Sequence, residues 1–343
     1  MVHFFSGRIS RSIYKLIYKL FFPKVAKHNR RYWPLYSVER DSQNRIEKIY
    51  FKKKLVSNNL IPPQVSHKKC TLVATGPSIQ QLNPEILHQS DQDYIGVNGA
   101  IAFDSIPFSS YVIIDHNFVN NRFDLVQKVL NSDCTFYTTP RCLDLILRHV
   151  RIEDLHCQIK TIETITDGQV ETFLDHARHF DQNETDFFIH KGMGFSLDIY
   201  KGTFDYFTVA YVALQILYTL GYKEIYIAGL DMNNFSQPRF YESIGGQQPT
   251  TLNHHVDDVF QAFDVAATLF KEKEIKVLMN ELKIKSNDIF NVIKKIKEWW
   301  IKNVDYLGYE IGSYYLKYYD GAIASYVIKY KYDCHQTIGG TFG

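Results

Sequence analysis

The segment Ala74-Thr75-Gly76-Pro77-Ser78 follows a short apolar run and precedes a helical pattern, so it is a strand-to-helix turn. Gly76 lacks a Cβ and allows a close backbone approach, Pro77 suits a first helical position, and unpaired N–H groups at such a turn hold anions. The turn is neither a G-x-G-x-x-G fingerprint nor a P-loop with its lysine. That speaks against a dinucleotide or ATP and is compatible with a nucleotide carrying one phosphate. Short polar residues close other apolar runs in the same way: Asn98, Asp115, Asp231 two residues past Gly229, and Asn280. Asn and Asp end strands widely because they suit turns. Their recurrence carries the weight, because ligands of open α/β sheets bind outside the carboxyl ends of the strands. His254 and His255 stand just before a helical pattern starting near Val256. The positive end of a helix disfavours imidazolium, which leaves such a histidine neutral and able to accept a proton.

These residues need a scaffold, and the sequence alternates short apolar strands with amphipathic helices, the pattern of an α/β domain with a mostly parallel, Rossmann-like sheet. Strands are expected near 71–74, 94–97, 111–114, 135–137, 224–228 and 276–278. Two helices are expected, one from about Tyr206 to Leu220 with Asp205 as N-cap and Gly221 past its end, the other from about Val256 to Lys273. Residues 143–201 fit no element clearly and could hold an insertion or lid.

The 343 residues, 45% of them apolar, suffice for one sizeable core with extensions. The organisation expected is a basic amphipathic membrane-associating region at 1–60, a catalytic domain at 61–290, and an aromatic, basic membrane-associating region at 291–343. No run is long and apolar enough to span a bilayer, and no cleavable leader is evident. The five cysteines are scattered and never in a C-x-x-C pair, which argues against a disulfide framework and a zinc site. Residues 1–54 hold fourteen Lys/Arg against three acids, a balance of +11 in a chain of net charge +2. Such an arm seeks an anionic surface. Aromatic and aliphatic residues such as Phe4, Phe5, Ile13, Leu16, Leu20 and Phe21 are interleaved with its cations, which favours acidic lipid over nucleic acid, and both ends are read as helical interfacial extensions. At the other end Trp299, Trp300, Tyr314 and Tyr315 stand near Lys294, Lys297 and Lys317, a composition suited to a membrane interface.

Three blocks together resemble one family. The turn at 74–78, the block Ile95-Gly96-Val97-Asn98-Gly99 with 111–115 after it, and the block 202–231 followed by Arg239-Phe240-Tyr241-Glu242 are similar to the Kdo transferases of the WaaZ (RfaZ) type. In the last block the similarity rests on Gly202, Thr208, Ala210, Ala213, Gln215, Ile216, Tyr218, Gly229, Leu230 and Asp231. It covers about 68–290 and leaves both ends outside. It implies transfer of Kdo (3-deoxy-manno-octulosonic acid, an eight-carbon acidic sugar) from CMP-Kdo to lipid-linked inner-core oligosaccharide of lipopolysaccharide, peripherally on the cytoplasmic face of the inner membrane. A more distant similarity runs to bacterial sialyltransferases that use CMP-sialic acid. There a strand followed by G-N-G-P-S contacts the nucleotide; Thr75 stands in place of that Asn, Asn98 matches an Asn near the donor, and Asp115 stands where those enzymes have another Asn.

Under that resemblance the donor site comprises Thr75, Gly76, Pro77, Ser78, Asn98, Asp231, Arg239 and Tyr241. The departing CMP needs donors on its phosphate, for which Tyr241, Arg239 and the Gly76 N–H are candidates. Arg239 could instead clamp the sugar carboxylate. The base is His255, with His254 as alternate and Asp115 as competitor; a His in this region serves as base in the sialyltransferases. No cofactor and no metal are expected, because one departing phosphate can be held by hydrogen bonds. The rival readings are another CMP-nonulosonate transferase, a pterin pyrophosphokinase-like enzyme, and a membrane-recruited binding protein without catalysis.

Overall fold

The computed structural model describes most of residues 34–279, the segments 309–317 and 323–330, and a few N-terminal residues (Ile13, Leu16, Ile17, Tyr18, Leu20, Asn29, Arg31, Tyr32). Within 34–279, the stretches 82–88, 180–184 and 232–237 and single positions such as 244, 245, 249 and 251 lie outside it. Strands β1 (Tyr36–Arg40), β2 (Ile46–Phe51) and β3 (Lys54–Asn58) form a small antiparallel sheet. The main sheet then begins with β4 (Lys69–Val73), β5 (Asp93–Val97), β6 (Ser110–Ile113), β7 (Thr135–Thr138) and β8 (Gln158–Thr161). Helices α1 (His116–Asn121) and α2 (Phe123–Leu130) join β6 to β7, and α3 (Pro140–Ile146) follows β7. Next come β9 (Thr164–Thr166), β10 (Gln169–Val170), β11 (Arg178–His179), the hairpin β12 (Phe187–His190) and β13 (Met193–Ser196), and β14 (Thr203–Phe204). Helix α4 (Val209–Thr219) leads into β15 (Glu224–Ala228), and α5 (Val256–Glu272) into β16 (Lys276–Met279). Strands β17 (Tyr309–Lys317) and β18 (Ile323–Tyr330) pair antiparallel.

The main sheet runs β16-β15-β4-β5-β6-β7-β8, every neighbouring pair parallel. Side chains alternate between two cores. Leu72, Ile95, Val97, Val112 and Tyr137 face α4 and α5, whereas Val73, Tyr94, Tyr111, Ile113 and Phe136 face α1, α2, α3 and the small N-terminal sheet. Both faces are thus covered, which explains why these strands read as apolar runs. Helix α4 is buried without interruption from Ala210 to Leu217, so its polar Gln215 must be satisfied inside the protein. All six strands expected from the pattern lie in this sheet. The seventh, β8, comes from the stretch 143–201, which adds the β9–β14 elements beyond it rather than a detached lid.

Three expectations are corrected. Residues 36–58 are not membrane-associating arm but folded domain: the fully buried Lys160 of β8 donates from Nζ to the carbonyls of Asn58, Asn59 and Ile61 at 3.2, 3.2 and 2.5 Å. Arg40 pairs with the buried Glu163. Charge counting grouped β1–β3 with the arm because their cations face outward or pair across the domain. Helix α4 starts at Val209 with Thr208 as N-cap, not at Tyr206 with Asp205, because Tyr206 and Phe207 are both left-handed (φ +38° and +62°). The C-terminal extension is not helical at 309–317 and 323–330, where aromatic and β-branched residues suit a pleated strand pair. Asn280 and the residues Phe4, Phe5, Phe21, Trp299 and Trp300 lie outside the described residues, and the four described cysteines are buried and free.

Candidate active site

The strand order reverses between β4 and β15: β5 to β8 extend the sheet on one side of β4, and β15 and β16 extend it on the other. Such a switch point leaves a crevice at the carboxyl ends of its two strands. Thr75, Gly76, Pro77 and Ser78 follow β4 there, Gly229 and Asp231 follow β15, Asn98 follows β5 and Asp115 follows β6.

The two central turns interlock. Gly76 donates its N–H to the Gly229 carbonyl at 2.8 Å, and Ala74 donates to Ala228 at 2.8 Å. Asp231 Oδ2 accepts the Ser78 N–H at 2.8 Å. The Gly76 N–H is therefore not free for a phosphate, and the anion on the Ser78 N–H is the protein's own carboxylate. The expected role of this turn as an open anion cradle is corrected on that ground. Gly76 is required by Asp231: a Cβ on it would stand 2.3 Å from Asp231 Oδ2. Gly229 is left-handed at φ +69°, where a Cβ is strained, and it lies against the Ala74 carbonyl.

A second cluster is built on Asn98, which is left-handed at φ +46°. Tyr111 holds that conformation by donating its hydroxyl to the Asn98 carbonyl and accepting the Ile101 N–H, both at 2.7 Å. The ring of Tyr241 covers neighbouring Gly99 so closely that a Cβ there would lie 2.1 Å from it. The Arg122 guanidinium lies over the same ring, 4.9 Å from its centre. Among the described residues the Asn98 Oδ1 and the Tyr241 hydroxyl are both buried without a hydrogen bond of normal geometry, Arg239 being near the latter. Burial pushes the Tyr241 hydroxyl up to about 12, Arg239 and Arg122 acting in the other direction and Glu242 reinforcing the rise, so it remains a donor at neutral pH. Two orphaned polar atoms beside a cation are groups that a polar, anionic ligand would satisfy. Phe240 ties this cluster to the first by donating its N–H to the Thr75 carbonyl at 3.3 Å. Arg239 is already engaged, donating to Glu242 Oε1 at 2.8 Å, which limits it as a free clamp. Arg122 has no counterpart in the sequence-based expectation, since the junction of two short helices carried no recognisable motif.

The third cluster joins two distant segments. His255, the N-cap of α5, stacks its ring on Phe207 with centres 3.5 Å apart and planes 8° from parallel, and its Nδ1 lies 3.4 Å from Asp258 Oδ2. His254 is exposed beside it. Phe207 belongs to the left-handed pair after β14, each member of which costs about 1–3 kcal/mol and persists only because neighbours enforce it. Tyr206 accepts the Gly194 N–H on its hydroxyl at 2.7 Å, and Gln215 accepts the Phe204 and Ser196 N–H groups and donates to the Phe204 carbonyl. Asp205 stands at the start of this turn. Burial, with Asp115 and Glu171 adding negative charge, raises its carboxyl to about 6. Asp115 itself caps α1 by accepting the Asn117 N–H at 2.8 Å. Sequence patterning assigned Asp205 to helix capping, so its chemical potential was missed.

Residues 189–296 match the family described as "3-deoxy-D-manno-octulosonic acid transferase WaaZ". The chain is also 27% identical over 267 residues to the "Probable 3-deoxy-manno-octulosonic acid transferase" of Escherichia coli (strain K12), covering 71% of this chain and 88% of that protein. The chain is a glycosyltransferase. The matched segment includes Asp205, Gly229, Asp231, Arg239, Tyr241, His254 and His255, about half of the carboxyl-edge residues of this transferase. Among solved structures, the MAf glycosyltransferase of Magnetospirillum magneticum AMB-1 is similar with a TM-score of 0.36 and 12% identity, over 71% of this chain and 38% of that chain. The α-2,3-sialyltransferase of Campylobacter jejuni is similar with a TM-score of 0.31 and 12% identity, over 66% of this chain and 84% of that chain. These scores are too low to carry an argument. The α/β class with a mostly parallel sheet rests on the strand pairing itself.

Proposed function

We propose that this glycosyltransferase moves Kdo from CMP-Kdo onto the inner core of a lipid-linked oligosaccharide. The observation that carries the reading is that the segment matching Kdo transferases supplies the carboxyl-edge residues on the β15 side of the switch point. The bond between anomeric carbon and phosphate oxygen breaks with an oxocarbenium-like carbon, and its electron pair leaves with CMP. Donors that strengthen as negative charge collects on the phosphate accelerate that step. Tyr241 is suited to it, Arg122, two of whose N–H groups are held by Asp124, adds positive charge beside it, and Asn98 accepts a hydrogen bond from a hydroxyl of the donor. Only one phosphate departs, so the transfer proceeds without a resident metal. Incubation with CMP-Kdo, CMP-sialic acid and ATP in parallel tests the reading by nucleotide release, with and without a chelator. Release from CMP-Kdo alone is expected; release from CMP-sialic acid alone, or turnover of ATP only, refutes it.

The transferase works as a peripheral enzyme on an anionic membrane face. Ile13, Leu16 and Leu20 are helical residues at i, i+3 and i+7 and are all exposed, while Tyr18 is buried. An outward apolar stripe within an arm of balance +11 fits an interfacial helix, each cation near an acidic leaflet contributing about 1 kcal/mol. Among the described residues no helix is long and apolar enough to cross a membrane. The protein is expected to sediment with liposomes of acidic lipid, and the variant L16E/L20E to sediment less; equal sedimentation of both removes the stripe from the argument.

A further inference from the structure

Asp205 lies at the carboxyl edge of the main sheet. Helix α4 precedes β15, which is parallel to β4, so α4 runs against the strand direction and its N-terminal end sits at the carboxyl edge. Asp205 comes just before that end and within electrostatic range of Asp115, which follows β6 at the same edge. Its carboxyl is partly buried, and among the described residues no side-chain hydrogen bond or ion pair engages it. A carboxylate serving only structure would be paired, as Asp231 is with Ser78 and Asp115 is with Asn117. The turn that presents it is held from both sides, by Gln215 on the Phe204 backbone and by the Tyr206 hydroxyl on Gly194. Two successive left-handed bulky residues place Phe207 in the open, 48% exposed, flat against His255. A second and independent sign of a ligand is the Asn98 Oδ1, buried without a donor among the described residues at the end of β5, the strand beside β6.

We propose that Asp205 is the base that takes the proton from the acceptor hydroxyl. The inference rests on the transfer from a CMP-sugar set out above. The acceptor O–H bond breaks and its proton passes to the Asp205 carboxylate. The acceptor oxygen bonds to the anomeric carbon as the carbon–phosphate oxygen bond breaks, and that electron pair departs with CMP. The charged groups facing Asp205 are Asp115 from the end of β6 and Glu171 from after β10, both acidic; with burial they favour its protonated form and bring its titration to about 6, close to working pH. His255, its ring covered by Phe207, is then a positioning residue that holds the turn.

The experiment compares wild type, D205N, D205E and H255A for transfer from CMP-Kdo, CMP affinity and the pH dependence of kcat. Wild-type kcat is expected to fall as pH drops through about 6. D205N should lose roughly 10²–10⁴-fold in kcat, bind CMP within about twofold, and lose that acid limb; D205E should recover part of the rate. H255A should keep the limb. Wild-type rate and limb in D205N, or loss of the limb in H255A alone, overturns the proposal. If D205N fails to fold, the titration of the Asp205 carboxyl carbon by NMR in the wild type decides, and a midpoint near that of a free aspartate overturns it. Wild-type protein that releases no CMP from any CMP-sugar overturns the functional reading and this inference with it, whereas release with an indifferent D205N removes Asp205 alone.

Discussion

Replacing Gly76 by Ala distinguishes two reasons for a glycine in the turn after β4. If the glycine admits a phosphate, the added methyl should weaken CMP binding whatever stands at position 231. The geometry gives a different reason: the new Cβ would lie 2.3 Å from Asp231 Oδ2, 2.4 Å from its Cγ and 2.7 Å from its Cβ, so the whole side chain must move. Moving it breaks the 2.8 Å bond from Ser78, a charge-assisted bond worth about 1.5–3 kcal/mol. G76A should therefore destabilise by at least that amount. D231G loses the same bond and removes every atom in the way. The double variant G76A/D231G should then be about as stable as D231G, a coupling of roughly 1.5–3 kcal/mol between the two positions. Chemical denaturation of the four proteins measures the cycle, and CMP titration of each folded variant gives the second readout. Stabilities additive within about 0.5 kcal/mol, or CMP affinity lost equally in both G76A backgrounds, would refute the packing argument and restore the phosphate cradle.

Gln215→Leu should destabilise by about 2–4 kcal/mol, because it removes the buried hydrogen bonds that Gln215 makes to the Ser196 N–H and to the Phe204 N–H and carbonyl; a change below 1 kcal/mol in denaturant would show that β14 repacks freely. Tyr241→Phe removes a hydroxyl that makes no hydrogen bond of normal geometry among the described residues, so stability should hold or rise slightly while affinity for the CMP-sugar falls, which calorimetry with and without donor separates. Asp205 titrates near 6 in the folded protein and 3.8 is its ordinary value, so between those pH values the folded state holds the extra proton and stability falls as pH rises; D205N should lack that decline in melts taken from pH 4 to 6.5.

The strand-ending residues were legible because chemistry and periodicity coincide there. An apolar run followed by Thr75-Gly76-Pro77-Ser78, Asn98, Asp115 or Gly229-Leu230-Asp231 marks the carboxyl end of a buried parallel strand, and all of them lie at one edge of the sheet. Their pairing was not legible. That Asp231 takes the Ser78 N–H, or that Tyr241 lies on Gly99 under Arg122, depends on contacts between segments more than a hundred residues apart. Asp205 was misassigned for a local reason: an Asp followed by a long apolar helical pattern is the ordinary sign of an N-cap. The left-handed pair Tyr206–Phe207 that displaces it is enforced by Gly194 and Gln215, which no local pattern reports. The folded sheet at 36–58 was hidden for a similar reason, since cations such as Arg40, which closes on Glu163, and Arg45, which closes on Asp198, count the same in composition as cations facing a membrane.

By itself the sequence determined the class of fold, the covered parallel sheet and the edge at which chemistry collects. Those follow from period, apolarity and turn residues, which act over a few neighbouring positions. Only the tertiary structure decided which of the polar residues are consumed by the protein and which are left for a ligand. Hydrogen bonds between distant segments satisfy Asp231 and the Gly76 N–H, and Glu242 three residues on engages Arg239, while among the described residues Asn98 Oδ1, the Tyr241 hydroxyl and the Asp205 carboxyl are left available. That division depends on three-dimensional proximity and desolvation, and both are properties of the packed chain rather than of any stretch of it.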